Sequence, residues 1–143
     1  MISYILVFAQ FFIIFLMSLP LGTPTQNAPL AFAIFALGGA VGALALLHNK
    51  LGNFNIRPDI KDEGVLITTG IYAYIRHPMY SAVLLIMGGI AVLYPFKYEF
   101  ILYAVLVVVL LLKLFYEESL WHNESQEYKE YSKNTKRVIP FLF

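Results

Sequence analysis

Residues 29–47 read PLAFAIFALGGAVGALALL, and no residue in this stretch carries a charge. A helix needs about 20 mostly apolar residues to cross a bilayer core of roughly 30 Å. Because lipid cannot satisfy an open backbone, an apolar run of this length favours a helix. The stretch therefore predicts a membrane-spanning helix.

Three further stretches have the same character. They are residues 2–21, 78–94 and 98–115, and the part of the last stretch from 102 to 112 has no charged residue. We therefore predict an all-α, polytopic membrane protein with about four transmembrane helices. The polar, aromatic-rich chain from Glu117 onward predicts an additional amphipathic C-terminal helix that lies along the membrane surface.

The composition excludes several classes of protein. The chain has 143 residues, of which 59% are hydrophobic and 13% charged, whereas a soluble domain is about 45–50% apolar and about 25% charged. The first charged residue is Lys50. This excludes a basic nucleic-acid-binding domain, a disordered tail and a typical cytosolic enzyme. Since there is no cysteine, disulfides, thiolate metal sites and a cysteine nucleophile are also excluded, and we predict no metal site.

The chain is expected to form a single integral membrane domain over residues 1–143. Residues 1–47 would form an N-terminal helical hairpin, and residues 48–143 a core that carries all of the charged side chains. The first span lacks a basic leading region and a small-residue cleavage site, so we expect a retained helix rather than a signal peptide. The spacing of Gly38 and Gly42 permits close helix approach, within one chain or between two copies, and leaves the oligomeric state open.

The basic residues indicate the orientation of the helices, because lysine and arginine concentrate in cytoplasmic loops. Nine of the ten fall on one side of the predicted spans, and only Lys97 falls on the other. We therefore expect both termini to be cytoplasmic. The nine residues are Lys50, Arg57, Lys61, Arg76, Lys113, Lys129, Lys133, Lys136 and Arg137.

Residues 70–80, GIYAYIRHPMY, lead into the third span. Pro78 suits the first position of a helix, which places His77 near the N-cap with Arg76 immediately before it. The free N–H groups of a helix start favour an anion, and a guanidinium group binds carboxylate or phosphate. Tyr80 follows Arg76 by four residues and would face the same pocket. The alternative is that Arg76 and His77 only contact lipid headgroups.

A pair of carboxylates, Glu117 and Glu118, follows the fourth span. If the last two spans form an antiparallel hairpin, this pair lies at the same membrane depth as Arg76. Adjacent helical residues differ by about 100°, so one carboxylate is expected to point inward. A solvated helix end is the alternative. Arg137 could fold back toward the carboxylates, while Lys133 and Lys136 would attract anionic lipid.

Taken together, these motifs resemble the isoprenylcysteine carboxyl methyltransferase and phospholipid methyltransferase superfamily. The specific signal is Arg-His-Pro-x-Tyr followed by Glu-Glu-x-x-Leu across a helical hairpin, and the resemblance covers about residues 50–140. The residues that carry it are 51–53, 66–72, 76–80, 117–120, the pair Tyr128 and Tyr131, and 137–140.

The resemblance implies an integral membrane enzyme that uses S-adenosylmethionine, with its pocket at the cytoplasmic surface. Arg76 would hold the cofactor carboxylate, and a glutamate, preferably Glu118, the ammonium group or ribose hydroxyls. Glu117 and His77 are the catalytic candidates. The cofactor-binding residues carried over from the family are Arg76, His77, Tyr80, Glu117, Glu118 and Arg137.

The resemblance leaves the methyl acceptor open among lipophilic molecules. A prenylcysteine-like carboxylate is already ionised and needs no base, whereas a lipid amine would need Glu117 or His77 as the base. Another membrane-partitioned molecule is the third possibility. Membrane lipids are the expected partners, and no nucleic acid is expected. The alternative functions are an NADPH-dependent enzyme of the sterol-reductase type, which would need a denser basic pocket, and a small non-catalytic membrane scaffold.

Overall fold

The computed structural model describes residues 2–19, 22–26, 28–49 and 65–143. Over these ranges the protein contains five α-helices and no strand, so the predicted all-α class is confirmed. A short 3-10 helix, Gly70–Ala73, precedes the third α-helix. The α-helices are α1 (Ile2–Met17), α2 (Ala28–His48), α3 (Pro78–Leu93), α4 (Lys97–Glu124) and α5 (Gln126–Asn134).

Some predicted features lie outside the described residues. These are the motif at 51–53, the basic residues Lys50, Arg57 and Lys61, and the predicted end of the first span at Leu21. The helix α1 ends earlier, at Met17, and a turn follows in which Ser18 N donates to Ile14 O at 2.9 Å.

Two of the helices, α2 and α4, are long and apolar enough to cross a membrane. The other two apolar helices, α1 and α3, have 16 residues each, which corresponds to about 24 Å of helix. Large apolar side chains cover the outside of the bundle, among them Phe8, Phe32, Leu47 and Val108. An apolar exterior of this extent suits lipid better than water.

The fourth helix is longer than predicted. We expected the span to end at Phe115 and a separate helix to begin at Glu117, but α4 continues through Glu124. The separate C-terminal helix exists as α5, but its predicted start at Glu117 was wrong, because apolarity ends near Phe115 while no glycine or proline interrupts α4 there. Ser125 then separates α4 from α5, and its Oγ accepts a hydrogen bond from Tyr128 N at 3.1 Å, which caps the start of α5.

Each of the four apolar helices has one main packing partner. The helix α2 packs mainly against α3, and α1 mainly against α4, while α3 and α4 also contact each other. Their shared core is purely apolar and draws on three helices. Its buried residues are Ile13 and Met17 of α1, Met87 and Ala91 of α3, and Leu106 and Leu110 of α4. The first two helices are therefore held in place by α3 and α4.

Gly38 provides the close approach between α2 and α3. A Cβ atom at this position would lie 2.9 Å from Ile86 Cγ1 and 3.0 Å from Leu85 Cβ, whereas Gly39 faces open space. A Cβ atom at Gly42 would be in ordinary contact, 3.4 Å from Ala82 Cβ. The small-residue spacing therefore serves helix packing inside one chain.

The two short turns lie together at one end of the bundle. Thr25 N donates to Leu93 O at 2.8 Å. Gly22 has a φ of 102°, and the ring of Phe96 occupies the space that a side chain at Gly22 would need. Because α3 and α4 form a hairpin closed at this end, the start of α3 and the last part of α4 meet at the opposite end.

Candidate functional site

The segment before α3 runs alongside the segment after α5. Arg76 N donates to Lys136 O at 2.8 Å, and His77 N donates to Arg137 O at 2.9 Å. In return, Lys136 N donates to Tyr74 O at 3.1 Å. These backbone bonds bring Arg137 to the start of α3, although 60 positions separate the two segments in the numbering (Arg137 minus His77).

Glu118 lies at the centre of a cluster of cations. Its Oε1 accepts from Arg76 Nε at 2.8 Å and lies 2.7 Å from Arg76 Nη2. Its Oε2 accepts from Arg137 Nε at 2.8 Å, and His77 Nε2 lies 3.4 Å from Oε1. The Glu118 side chain is only 5% exposed. One buried carboxylate thus joins α4 both to the segment before α3 and to the segment after α5.

Arg76 also binds the end of α5. Its Nη1 donates to Ser132 O at 3.1 Å, to Thr135 O, and to Thr135 Oγ1 at 3.3 Å. The last carbonyl groups of a helix have no partners within the helix and favour a cation. Each of the three guanidinium nitrogens of Arg76 therefore has a partner in the chain, and the residue connects α3, α4 and α5.

Glu117 lies beside this cluster in a more open position. Its side chain is 27% exposed, and its Oε2 accepts from Tyr80 OH at 2.9 Å. His77 Nδ1 lies 3.8 Å from the same oxygen, and the rings of His77 and Tyr80 stack with 5.2 Å between their centroids. The two adjacent glutamates therefore differ in kind, because Glu118 is buried among cations while Glu117 faces partly outward.

Aromatic rings attach α5 to this end of the bundle. Tyr128 is buried and stacks on Trp121 with 5.6 Å between the ring centroids, and Tyr131 lies edge-on to Tyr128. The hydroxyl of Tyr131 donates to Tyr72 O. Burial raises the pKa of both Tyr128 and Tyr131 well above the usual range, so both hydroxyls stay protonated.

Lys113 lies inside the bundle, which we did not predict. Its side chain is 2% exposed, and its Nζ donates to Gln10 Oε1 of α1 at 2.5 Å. The ammonium group also lies 5.3 Å from the centre of the Tyr80 ring. We had grouped Lys113 with the basic residues of the cytoplasmic surface. A lone lysine in an apolar run is itself a sign of a buried polar contact, and this sign could have identified it.

All six predicted site residues meet at this end of the bundle. Glu118, Arg76 and Arg137 form an ion-pair cluster, and Glu117 and Tyr80 form a hydrogen-bonded pair. His77 lies between the two groups. Sequence reasoning missed the contact of Lys113 with Gln10 and the role of Tyr128 and Tyr131 in holding α5. Within the described ranges, no group of three potential metal ligands is present.

Comparison with known proteins gives one family match. No curated protein matches the chain significantly. The sequence profile of the phospholipid methyltransferase family matches residues 29–125, which include α2, α3 and α4 and both glutamates of the site. The match covers more than half of the chain. The protein therefore belongs to the phospholipid methyltransferase family, within the superfamily of membrane methyltransferases that the two motifs indicated.

Proposed function

We propose that the protein transfers a methyl group from S-adenosylmethionine to a lipophilic acceptor at the membrane surface. One observation carries the proposal: the partly exposed Glu117 carboxylate lies against Tyr80 and His77, beside the ion pair of Arg137 and Glu118. This combination of carboxylate, rings and guanidinium suits a ligand that has ammonium, purine and carboxylate ends. The family match supports methyl transfer in general.

The residues of the site fit this cofactor, but the role expected for Glu118 passes to Glu117. Both oxygens of Glu118 are bound by guanidinium groups, so Glu117 is the carboxylate that would hold the cofactor ammonium or ribose hydroxyls. Arg137 is 35% exposed and bonds Glu118 through Nε, which leaves its outer edge to hold the cofactor carboxylate. His77 and Tyr80 would line the adenosine or amino-acid end.

Methyl transfer depends mainly on how the two reactants are oriented. When bound, S-adenosylmethionine supplies a methyl group on a sulfonium that is already a good leaving group. The protein contributes by positioning the reactants and excluding water. Tyr80 donates to Glu117 Oε2 and so orients that carboxylate. A carboxylate acceptor needs no base, whereas an amine would give its proton to His77, because Glu117 is already engaged by the cofactor and by Tyr80.

We also propose that α1 to α4 all cross the membrane as parts of one domain over residues 1–143. The helices α1 and α3 are short for a span, but each packs against a helix of spanning length. Among the described residues, Arg76, Lys129, Lys133, Lys136 and Arg137 lie at the same end of the bundle as the site, which supports a cytoplasmic position. A lipophilic acceptor would then reach the site sideways from the bilayer.

The orientation can be checked with a reporter protein fused after Phe143. We expect the reporter to show a cytoplasmic location, because five basic residues of the described ranges lie at this end of the bundle, whereas Lys97 lies at the other end. A second reporter inserted at Lys97, in the turn at the other end of the bundle, should show the opposite location. If both reporters lie on the same side of the membrane, the proposed topology is contradicted.

Glu117→Gln tests the cofactor site. The substitution keeps the shape of the side chain and removes its charge, and a hydrogen bond to a charged group contributes about 1.5–3 kcal/mol. We therefore expect the dissociation constant for S-adenosylmethionine to rise roughly 10- to 100-fold. Binding to the purified protein gives this value, and transfer of labelled methyl into a lipid extract identifies the acceptor.

Glu124→Gln is the matched control, since Glu124 is an exposed carboxylate on the same helix. It should bind the cofactor like the unchanged protein. NADPH serves as the competing ligand. A protein that binds NADPH tightly but does not bind S-adenosylmethionine would favour the sterol-reductase alternative. A protein that binds neither would favour a membrane scaffold.

A further inference from the structure

A polar cavity of about 240 Å³ lies where α5 ends. Four basic residues line it, namely Arg76, Lys133, Lys136 and Arg137, together with the hydroxyl-bearing residues Ser132 and Thr135. Its lining includes no aspartate or glutamate side chain, and Tyr80 does not contribute to it. The cavity therefore adjoins the ion-pair cluster but is separate from the Glu117 face.

The charges around this cavity do not cancel. Arg76 and Arg137 share the single carboxylate of Glu118, which leaves one positive charge between them. Lys133 pairs with Glu130 at 2.7 Å, but both side chains are more than half exposed, and such surface pairs contribute little. Lys136 is exposed and adds a further charge. A concave surface with this balance attracts anions.

The rim of the cavity is apolar. Leu142 and Phe143 belong to its lining, and the neighbouring Phe141 and Leu142 are 82% and 78% exposed. A tight turn holds this segment, with Val138 N donating to Phe143 O at 2.7 Å. A basic cavity beside exposed apolar side chains matches the boundary between lipid headgroups and acyl chains.

We propose that this cavity binds the headgroup of an anionic phospholipid. The phosphate would lie between Lys133 and Lys136, where ammonium and hydroxyl donors suit its oxygens and Arg137 stays available to the cofactor. Phe141 and Leu142 would enter the acyl region. The probe lipid, phosphatidylglycerol, has no amine to be methylated, so its binding would report docking of α5 at the membrane rather than binding of a methyl acceptor. This inference rests on the proposed orientation and is independent of cofactor binding.

The test measures how phosphatidylglycerol stabilises the purified full-length protein in micelles. Thermal unfolding is followed as phosphatidylglycerol or phosphatidylcholine is added, because a ligand that binds the folded state raises the unfolding temperature. We expect phosphatidylglycerol to stabilise the protein. In the double variant Lys133→Gln/Lys136→Gln, the apparent affinity for this lipid should fall by a factor of about ten or more. The control is Lys97→Gln/Lys129→Gln, which loses the same charge at exposed positions outside the cavity and should bind like the unchanged protein.

Several results would overturn the proposal. These are equal affinity in the cavity variant, equal losses in both double variants, or equal stabilisation by inorganic phosphate, which would indicate a free-anion site. A loss of S-adenosylmethionine binding in the cavity variant with unchanged lipid affinity would assign the cavity to the cofactor. A failure of the proposed methyltransferase function would instead appear as no cofactor binding in any variant, with the lipid response unaffected.

Discussion

Replacing Glu118 with glutamine is expected to lower the free energy of unfolding by roughly 3–5 kcal/mol, the usual cost of removing one partner from a buried ion pair. The glutamine keeps the size of the side chain but loses the charge that two guanidinium groups share. Arg76, whose side chain is 5% exposed, would remain buried facing Arg137 with like charge. The variant should also lose cofactor binding, because His77 and Arg137 would no longer be held in place.

Thermal unfolding in detergent micelles measures the change in stability, and limited trypsin digestion reports on α5. Since Arg76 connects α4 to the end of α5, cleavage within α5 should become faster in the variant. Glu124→Gln removes a charge from an exposed position on the same helix and should leave both readouts unchanged. Wild-type stability in Glu118→Gln would show that the cluster does not hold the C-terminal segment.

Replacing Gln10 with leucine is expected to lower the free energy of unfolding by about 1.5–3 kcal/mol, the contribution of a hydrogen bond to a charged group. The Gln10 amide oxygen accepts from Lys113 Nζ at 2.5 Å, and Lys113 is only 2% exposed. Water therefore cannot easily replace the lost acceptor. Gln126→Leu, at an exposed position of α5, should change stability by less than about 0.5 kcal/mol.

The double variant Gln10→Leu/Lys113→Met should recover most of the lost stability. Replacing a whole buried polar pair by apolar residues of similar volume is often neutral, whereas removing one partner is costly. The two effects are then coupled rather than additive, and thermal unfolding of the four proteins completes the cycle. A double variant less stable than Gln10→Leu alone would show that Lys113 stabilises the bundle through other contacts.

The helices could be predicted because apolar runs decide them, but their ends could not. The prediction for residues 78–94 agrees with α3, since Pro78 begins the helix and Tyr94 follows its last residue. The end of α4 was missed, because a helix continues wherever its backbone bonds can form, regardless of polarity. Apolarity marks what lipid can cover, and it ends near Phe115 while α4 reaches Glu124.

The sequence predicted that six residues would lie together, and the structure brings them together, but their contacts with one another were not predicted. The sequence favoured Glu118 as the glutamate that would bind the cofactor. Because Glu118 is held by Arg76 and Arg137, its contacts now favour Glu117 for that role. Lys113 was placed at the surface, because counting charges on either side of a span does not show where a side chain points. Its contact with Gln10 joins residues that are 103 positions apart.

The sequence by itself determined that this protein is a membrane-embedded helical bundle and that its few charges gather toward one end. Lipid cannot satisfy an open backbone or an unpaired charge, so composition and spacing are enough for that conclusion. Only the tertiary structure decided which glutamate is buried and which faces outward. Ion pairing depends on distances of a few ångströms between segments such as Arg76 and Glu118, which are 42 positions apart, and only packing of the helices sets those distances.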